Sequence, residues 1–370
     1  MKENGKKGIK ILIAVLIVIL ASVLVYLNQT PLFLEKTVRL FNKNYEYKTP
    51  TVELDSTEGV FVSSMDDARC VIATKEGVKT YSHMLKEESN AAFSGENPIV
   101  TVKKDKYLIF HKGSNKAFFV NGKKNIPITA SGNILTASVN ENGFFALLTE
   151  EKGFKAQIIV YDKNGVEFYK WHSADSFVND IAISPSNTAF AASALDYSDG
   201  VLKSKLLIFD TLSEEPKETA ADESITAIEY ISKSKIAVVC SSSAAVYSSN
   251  GEREWNHPFA GKSIFAYKIK DGKIAAAAGE SNLTTETADV IMFNENGKAI
   301  VNYKNKGDIY GLDILSNDIL IVGKRYMRVV SNKEKSYLKS GKDITTAQFS
   351  GNSKTILLHT GMLVQLQYFE

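Results

Sequence analysis

The sequence predicts an all-β chain, a β-propeller of eight four-stranded blades behind one N-terminal transmembrane helix. Three observations predict it. An uncharged apolar run occupies residues 11–27. A strand–Asn-Gly–strand unit recurs, with its glycines at Gly122, Gly165, Gly251 and Gly297. From about residue 57 onward, short runs rich in Val, Ile, Phe, Tyr and Thr alternate with turn residues, and no stretch sustains a helical period.

The apolar run reads ILIAVLIVILASVLVYL and sits near the lower limit for crossing a hydrocarbon core of ~30 Å. Lys2, Lys6, Lys7 and Lys10 precede it against a single acid, Glu3. The positive-inside rule then keeps residues 1–10 in the cytoplasm and sends the C-terminus out. The run is longer than a signal-peptide core, and no small-x-small cleavage site follows cleanly, so an uncleaved anchor is expected. Pro31 stops the helix. Residues 28–50 form a juxtamembrane linker in which Leu34, Val38, Leu40 and Phe41 suit either a short interfacial turn or a plain spacer. The expected localisation is the cell membrane, with one pass and an extracytoplasmic domain over residues 51–370.

Composition narrows the function. Apolar residues make up 44% of the 370, enough for a real core, and charged residues 23%. The net charge of +2 comes from the basic tail, so the body is close to neutral. A near-neutral surface without a basic stripe does not suit nucleic acid, whose phosphates dominate binding. Cys70 and Cys240 are the only cysteines, and both lie in apolar runs. No metal or haem spacing is present, and neither a metal nor a cofactor is expected.

The repeat sets the architecture. The glycine spacings are 43, 86 and 46 residues, and the middle one is two periods. The skipped unit is LLIFDTLSEEPKE from Leu206, where a longer turn replaces Asn-Gly. Each Asn-Gly reads as a two-residue type I′ hairpin turn. Four strands, A to D, fit each unit. The A strands are expected to begin near Gly59, Asn97, Asn133, Phe177, Ile225, Ser263, Ile309 and Ile344. A period of ~40–45 residues with four strands means propeller blades. The last unit has three strands, and TVELD (51–55) is an orphan strand ahead of the first unit. If it supplies the missing D strand, the ring closes with eight blades; seven blades and a stray hairpin is the alternative. In an eight-fold ring Cys70 and Cys240 fall on opposite blades, too far apart for a disulfide.

Strand order assigns the faces. D–A and B–C loops share one end of the ring; A–B and C–D turns share the other. The tether enters at the C–D end, leaving the B–C end pointing away from the membrane. Three B–C loops are long, at 150–155, 195–204 and 279–286. Loops gathered at one end mark a binding face. The candidate binding residues there are Lys152, Phe154, Asp196, Tyr197, Asp199, Asn282 and Thr284. Asp180, Glu229 and Asp313 fall in or near A strands and are candidates for lining the channel, where carboxylates can hold a cation or exchange protons. The recurring Trp171-His172 and Trp255–His257 sites read as aromatic packing on D strands. Residues 196–200 resemble half a calcium loop but lack its bidentate Glu, and read as a surface loop. No nucleophile, zinc or nucleotide motif is found, so no catalytic residue is assigned and the chain is not expected to be an enzyme.

The strand–Asn-Gly–strand–Trp units, such as IIVYDKNGVEFYKW, resemble the repeats of quinoprotein-like eight-bladed propellers over roughly residues 51–370. That resemblance implies either a quinone-dependent dehydrogenase or a non-catalytic envelope scaffold. The dehydrogenases use adjacent cysteines, and here the two lie 170 residues apart. The layout of Lys-rich tail, anchor and degenerate propeller also resembles a clostridial-type family of membrane-anchored propellers, which implies a Gram-positive surface and no known activity. The expected function is a binding or scaffold module for a protein or envelope polymer. The alternatives are a glycan hydrolase, lyase or oxidoreductase at the channel mouth, or a small-molecule sensor.

Overall fold

The computed structural model describes residues 15–20, 22, 49–122, 124–198, 201–213, 215–280, 287–351 and 354–369. The chain forms two units, Met1–Pro50 and Thr51–Glu370. In the first, residues 15–20 and 22 are helical. The rest of the 11–27 span, and the linker up to residue 48, lie outside the described residues. Among the described residues no helix is long and apolar enough to cross a membrane.

The second unit is eight antiparallel four-stranded sheets. Seven take consecutive strands, spanning residues 61–92, 98–129, 134–173, 177–221, 225–258, 263–306 and 311–339. The eighth combines Thr346–Phe349, Thr355–Thr360 and Leu363–Tyr368 with Thr51–Glu53. Thr51 pairs with Gln365 and Glu53 with Leu363. The Leu54 amide donates to the Met362 carbonyl at 2.8 Å and carries the pairing one residue further. The outermost strand of blade 8 therefore comes from the start of the unit. Proline before an outer strand loses no ladder donor, which suits Pro50.

Burial explains the strand sequences. Inner strands B and C are covered by the neighbouring blade on each face, so they are mostly apolar. Phe145–Thr149 and Ala156–Tyr161 are buried at every residue. Outer D strands alternate; Arg253–Pro258 is half-buried only at every second position. The core is divided accordingly into eight apolar clusters, each bridging two adjacent blades. The one between blades 8 and 1 includes Leu54, Val62, Leu357 and Leu366. D-strand tryptophans close two seams from outside: Trp171 meets Phe209 of the next blade edge-on at 4.9 Å, and Trp255 meets Phe293 at 5.4 Å.

Three of the four Asn-Gly turns are not type I′. In Asp162–Gly165, Ser248–Gly251 and Asn294–Gly297 only the glycine has positive φ, at 78°, 87° and 75°. Each glycine amide returns to the carbonyl three residues earlier, at 3.0 Å in all three. The C–D ladder shifts register just before the turn. This is a type I turn closed by a glycine bulge. The side chain at the first position selects it. Asp162 Oδ1 accepts the amides of Asn164 and Val166 at 2.8 and 2.9 Å. Ser248 and Asn294 do the same in their own turns. Glycine is needed there for space as well. A Cβ on Gly297 would sit 2.7 Å from the Trp255 ring of the preceding blade.

Cys70 and Cys240 lie on the B strands of blades 1 and 5, buried and unbonded to each other. Burial pushes the Cys70 thiol up to about 12 and the Cys240 thiol up to about 11.

Candidate functional site

Strand A of each blade lines the channel, and four of these strands carry a bulge near the start. The shifts fall at 134/136, 178/180, 225/227 and 264/266. In blade 4 the extra residue is Asn179, so the bulge re-aims Asp180. The result is a cavity of about 520 Å³ lined by residues of all eight blades. Lys104, Asp66 and Asp271 on its lining belong to A–B turns, so it occupies that half of the channel.

Asp180, Glu229 and Asp313, which the sequence placed on separate blades, all line this cavity. Two of them are joints between blades. Asp180 Oδ2 accepts the Ile228 amide of blade 5 at 2.9 Å, while Oδ1 accepts its own neighbour Ile181 at 2.9 Å. Asp313 Oδ2 accepts the Phe349 amide of blade 8 at 2.8 Å. Neutral side chains make the same joint elsewhere. Ser138 Oγ takes the Ile183 amide at 3.2 Å, and Gln348 Oε1 takes the Ser64 amide at 2.9 Å. Burial raises the Asp180 carboxyl to about 6, against the pull of its two amide donors. The seam between blades desolvates both of these carboxylates.

Glu229 is different. Its Oε1 accepts from Lys103 Nζ at 2.6 Å, joining blades 2 and 5 across the channel. Burial lowers the Lys103 ammonium, but the adjacent Glu229 outweighs it and holds the group above its ordinary value. Among the described residues no cluster of three or more His, Cys, Asp or Glu side chains is arranged to hold a metal ion.

The B–C end of blades 3 and 4 carries a second arrangement. The loop at 150–155 is fixed from below. Buried Gln157 donates to Glu151 at 3.0 Å and lies 2.8 Å from His172 Nε2. Asn133 donates to Glu150 at 2.8 Å, and the Lys155 amide to the Ser173 carbonyl at 2.8 Å. Phe154, 45% exposed, lies against the His172 ring at 4.6 Å. Lys155 Nζ lies 4.7 Å over the ring of Phe177, itself 58% exposed. Lys152 is exposed at the loop's edge.

Residues 195–198 and 201–204 are strand, not loop. Ala189–Ser198 and Val201–Asp210 continue as one hairpin, with Leu195 opposite Ser204 and Ser198 opposite Val201. Strand A stops at Phe177, opposite Leu195, and strand D stops at Ala221, opposite Ser204. Residues 196–198 and 201–203 therefore pair as a two-stranded ribbon with no flanking strand among the described residues. Asp196 faces Lys203 across it and pairs with Lys205 at 3.8 Å; Tyr197 is 73% exposed. Asp199, Asn282 and Thr284 lie outside the described residues. Sequence reasoning passed over Lys155 and Phe177 and read His172 only as D-strand packing; the aromatic opening strand A of blade 4 was the available signal.

The family model described as "Family of unknown function (DUF5711)" matches residues 36–365. No curated protein matches the sequence. Among solved structures, the C-terminal WD40 domain of Sif2 is similar, with a TM-score of 0.58 and 9% identity over 87% of this chain and 98% of that one. A eukaryotic initiation factor gives 0.55 and 10%, over 86% and 85%. The Pan2 WD40 domain of Neurospora crassa gives 0.50 and 9%, over 88% and 100%. At such identities the likeness shows the fold alone: a WD40-like propeller.

Proposed function

The chain belongs to the DUF5711 family, whose function is unknown, and on that premise we propose that it is a membrane-anchored, extracytoplasmic propeller that captures a protein or envelope polymer. The anchor in this reading is the 11–27 run, with the N-terminus in the cytoplasm and the ring at a Gram-positive cell surface. The tether joins the ring at Thr51, at the C–D end of blade 8, which leaves the B–C end for the partner.

One observation carries the binding assignment: the platform of Phe154 on His172 and Phe177 under Lys155, beside a bare ribbon bearing Tyr197. Exposed aromatics held rigid are the residues that dominate binding energy at interfaces. The Gln157, Asn133 and Ser173 contacts fix them before any partner arrives, which lowers the ordering cost of association. The stretches 196–198 and 201–202, flanked by no strand among the described residues, also offer backbone edges to an incoming strand. The WD40-like fold is compatible with a scaffold, though fold alone assigns no function. The rival reading of an enzyme at the channel mouth is weaker, because Asp180 and Asp313 each give an oxygen to a neighbouring blade's amide.

The test is photo-crosslinking in the native membrane, with the probe at Tyr197 and a control probe at Asn164 in a C–D turn. The expected result is a discrete adduct from Tyr197 alone, lost on Phe154→Ala or Phe177→Ala. Equal adducts from both positions, or adducts indifferent to these changes, would refute the assignment.

A further inference from the structure

The channel cavity has a charge arrangement that its own residues leave unbalanced at two places. At one, Asp313 is 2% exposed, and its Oδ1 has no hydrogen-bond partner. Lys268 and Lys270, on strand A of blade 6, hold their ammonium groups 3.9 and 3.8 Å from it, beyond hydrogen-bonding distance. Among the described residues neither ammonium donates a hydrogen bond. Each ammonium carries three donors. Two cations thus stand over one buried carboxylate, with donors to spare.

At the other place the imbalance is reversed. Lys103 is paired with Glu229, and the carboxylates of Asp66 and Asp271 also act on it. Both aspartates line the same cavity from the A–B turns, and among the described residues neither makes a side-chain hydrogen bond or a close ion pair. Three carboxylates thus face one ammonium, too dispersed to chelate a metal ion. The remaining cation of the lining, Lys104, is taken by Glu141. Asp66 and Asp271 are exposed, and a ligand ammonium held between them and Glu229 gains charge-assisted hydrogen bonds, as a ligand carboxylate does on the spare donors of Lys268 and Lys270.

We propose that this cavity binds a small zwitterion, a short peptide with free amino and carboxyl termini, with its carboxylate on Lys268 and Lys270 and its ammonium among Asp66, Asp271 and Glu229. The site is separate from the platform on blades 3 and 4 and does not depend on it. A volume of about 520 Å³ falls in the range of small-ligand pockets, ≈ 300–1,000 Å³. The polar neutral lining, including Ser63, Thr101 and Gln348, suits a peptide backbone better than an apolar molecule.

The test uses the full chain in detergent micelles and isothermal titration calorimetry with trialanine. Two blocked forms serve as controls, N-acetyl-trialanine and trialanine amide. Trialanine is expected to bind, and each block to weaken binding about tenfold, the worth of one charge-assisted hydrogen bond. Lys268→Met should weaken trialanine by a similar factor and leave the amide unchanged. Asp66→Asn should weaken trialanine and leave the acetylated form unchanged. These side chains are partly exposed or in turns, and a thermal melt of each variant confirms folding. No heat from trialanine up to about 10 mM, equal binding of the blocked forms, or variants without effect would each overturn the proposal.

Discussion

Asp180 gives the fold a pH dependence of calculable size. Its carboxyl has an ordinary value of 3.8 and rises to about 6 in the ring, chiefly because the seam between blades 4 and 5 buries it. Between those two values the folded chain holds a proton that the unfolded chain has released. Stability then falls as pH rises through that window, because the native state binds more protons than the unfolded one. A shift of roughly two units corresponds to about 3 kcal/mol, present in full below pH 4 and lost above pH 6. Asp180→Asn removes the titration and keeps an oxygen to accept the Ile228 amide. Urea unfolding of both proteins, in steps from pH 4 to pH 7, measures the effect. The variant should gain about 3 kcal/mol relative to the parent across that range. Other titrating groups are common to both proteins and cancel, whatever the constant offset from the altered hydrogen bonds. A difference flat to within about 1 kcal/mol would show that Asp180 is not desolvated by the seam.

Three further outcomes are expected. Gly297→Ala should cost about 2–4 kcal/mol, part from its positive φ and part from the clash with Trp255, whereas Gly261→Ala, with φ of 74° and open space, should cost only about 1 in thermal or urea unfolding. Leu54→Ala should cost about 2–5 kcal/mol, since this 9%-exposed side chain seals the blade 8–blade 1 seam, and exposing the edge of Leu363–Tyr368 should raise aggregation measured by light scattering. Cys70 and Cys240 should react with a thiol reagent at pH 8 only as fast as the chain opens, because burial holds both thiols far above that pH; rapid labelling of the folded protein would contradict the structure.

Much of the ring was legible because each level of the sequence agrees with the others. The expected A strands begin within two residues of the observed ones, since the apolar β-branched and aromatic runs are separated at every joint by short segments carrying Gly, Asn, Asp, Ser or Pro. Closure by the segment at 51–55 followed from counting strands. The turn geometry was misread because attention went to Asn-Gly alone. The deciding residue stands two places earlier, at Asp162, Ser248 or Asn294, where a side-chain acceptor selects the type I turn. The pairing of 195–198 with 201–204 was taken for a loop because the segment is polar where the strands on either side of it are apolar. The cavity was harder still. Asp180, Glu229 and Asp313 could be placed on A strands, but their partners follow only from ring geometry. Lys103 and Glu229 lie 126 residues apart in the chain and hydrogen-bond across the channel.

The strand at Thr51–Glu53 imposes an order on biosynthesis. Its pairing partner, Leu363–Tyr368, lies more than three hundred residues downstream, so the first strand made is among the last to dock. Until then one seam is open and blade 8 has a raw edge. Long-range pairings of this kind close slowly, because the loop entropy is spent before the contact forms. Ribosomal stalling or premature termination anywhere before residue 363 leaves a ring that cannot shut. Latching thus acts as a completeness check on the newly made chain, and proteases that read exposed strand edges would sort finished rings from unfinished ones.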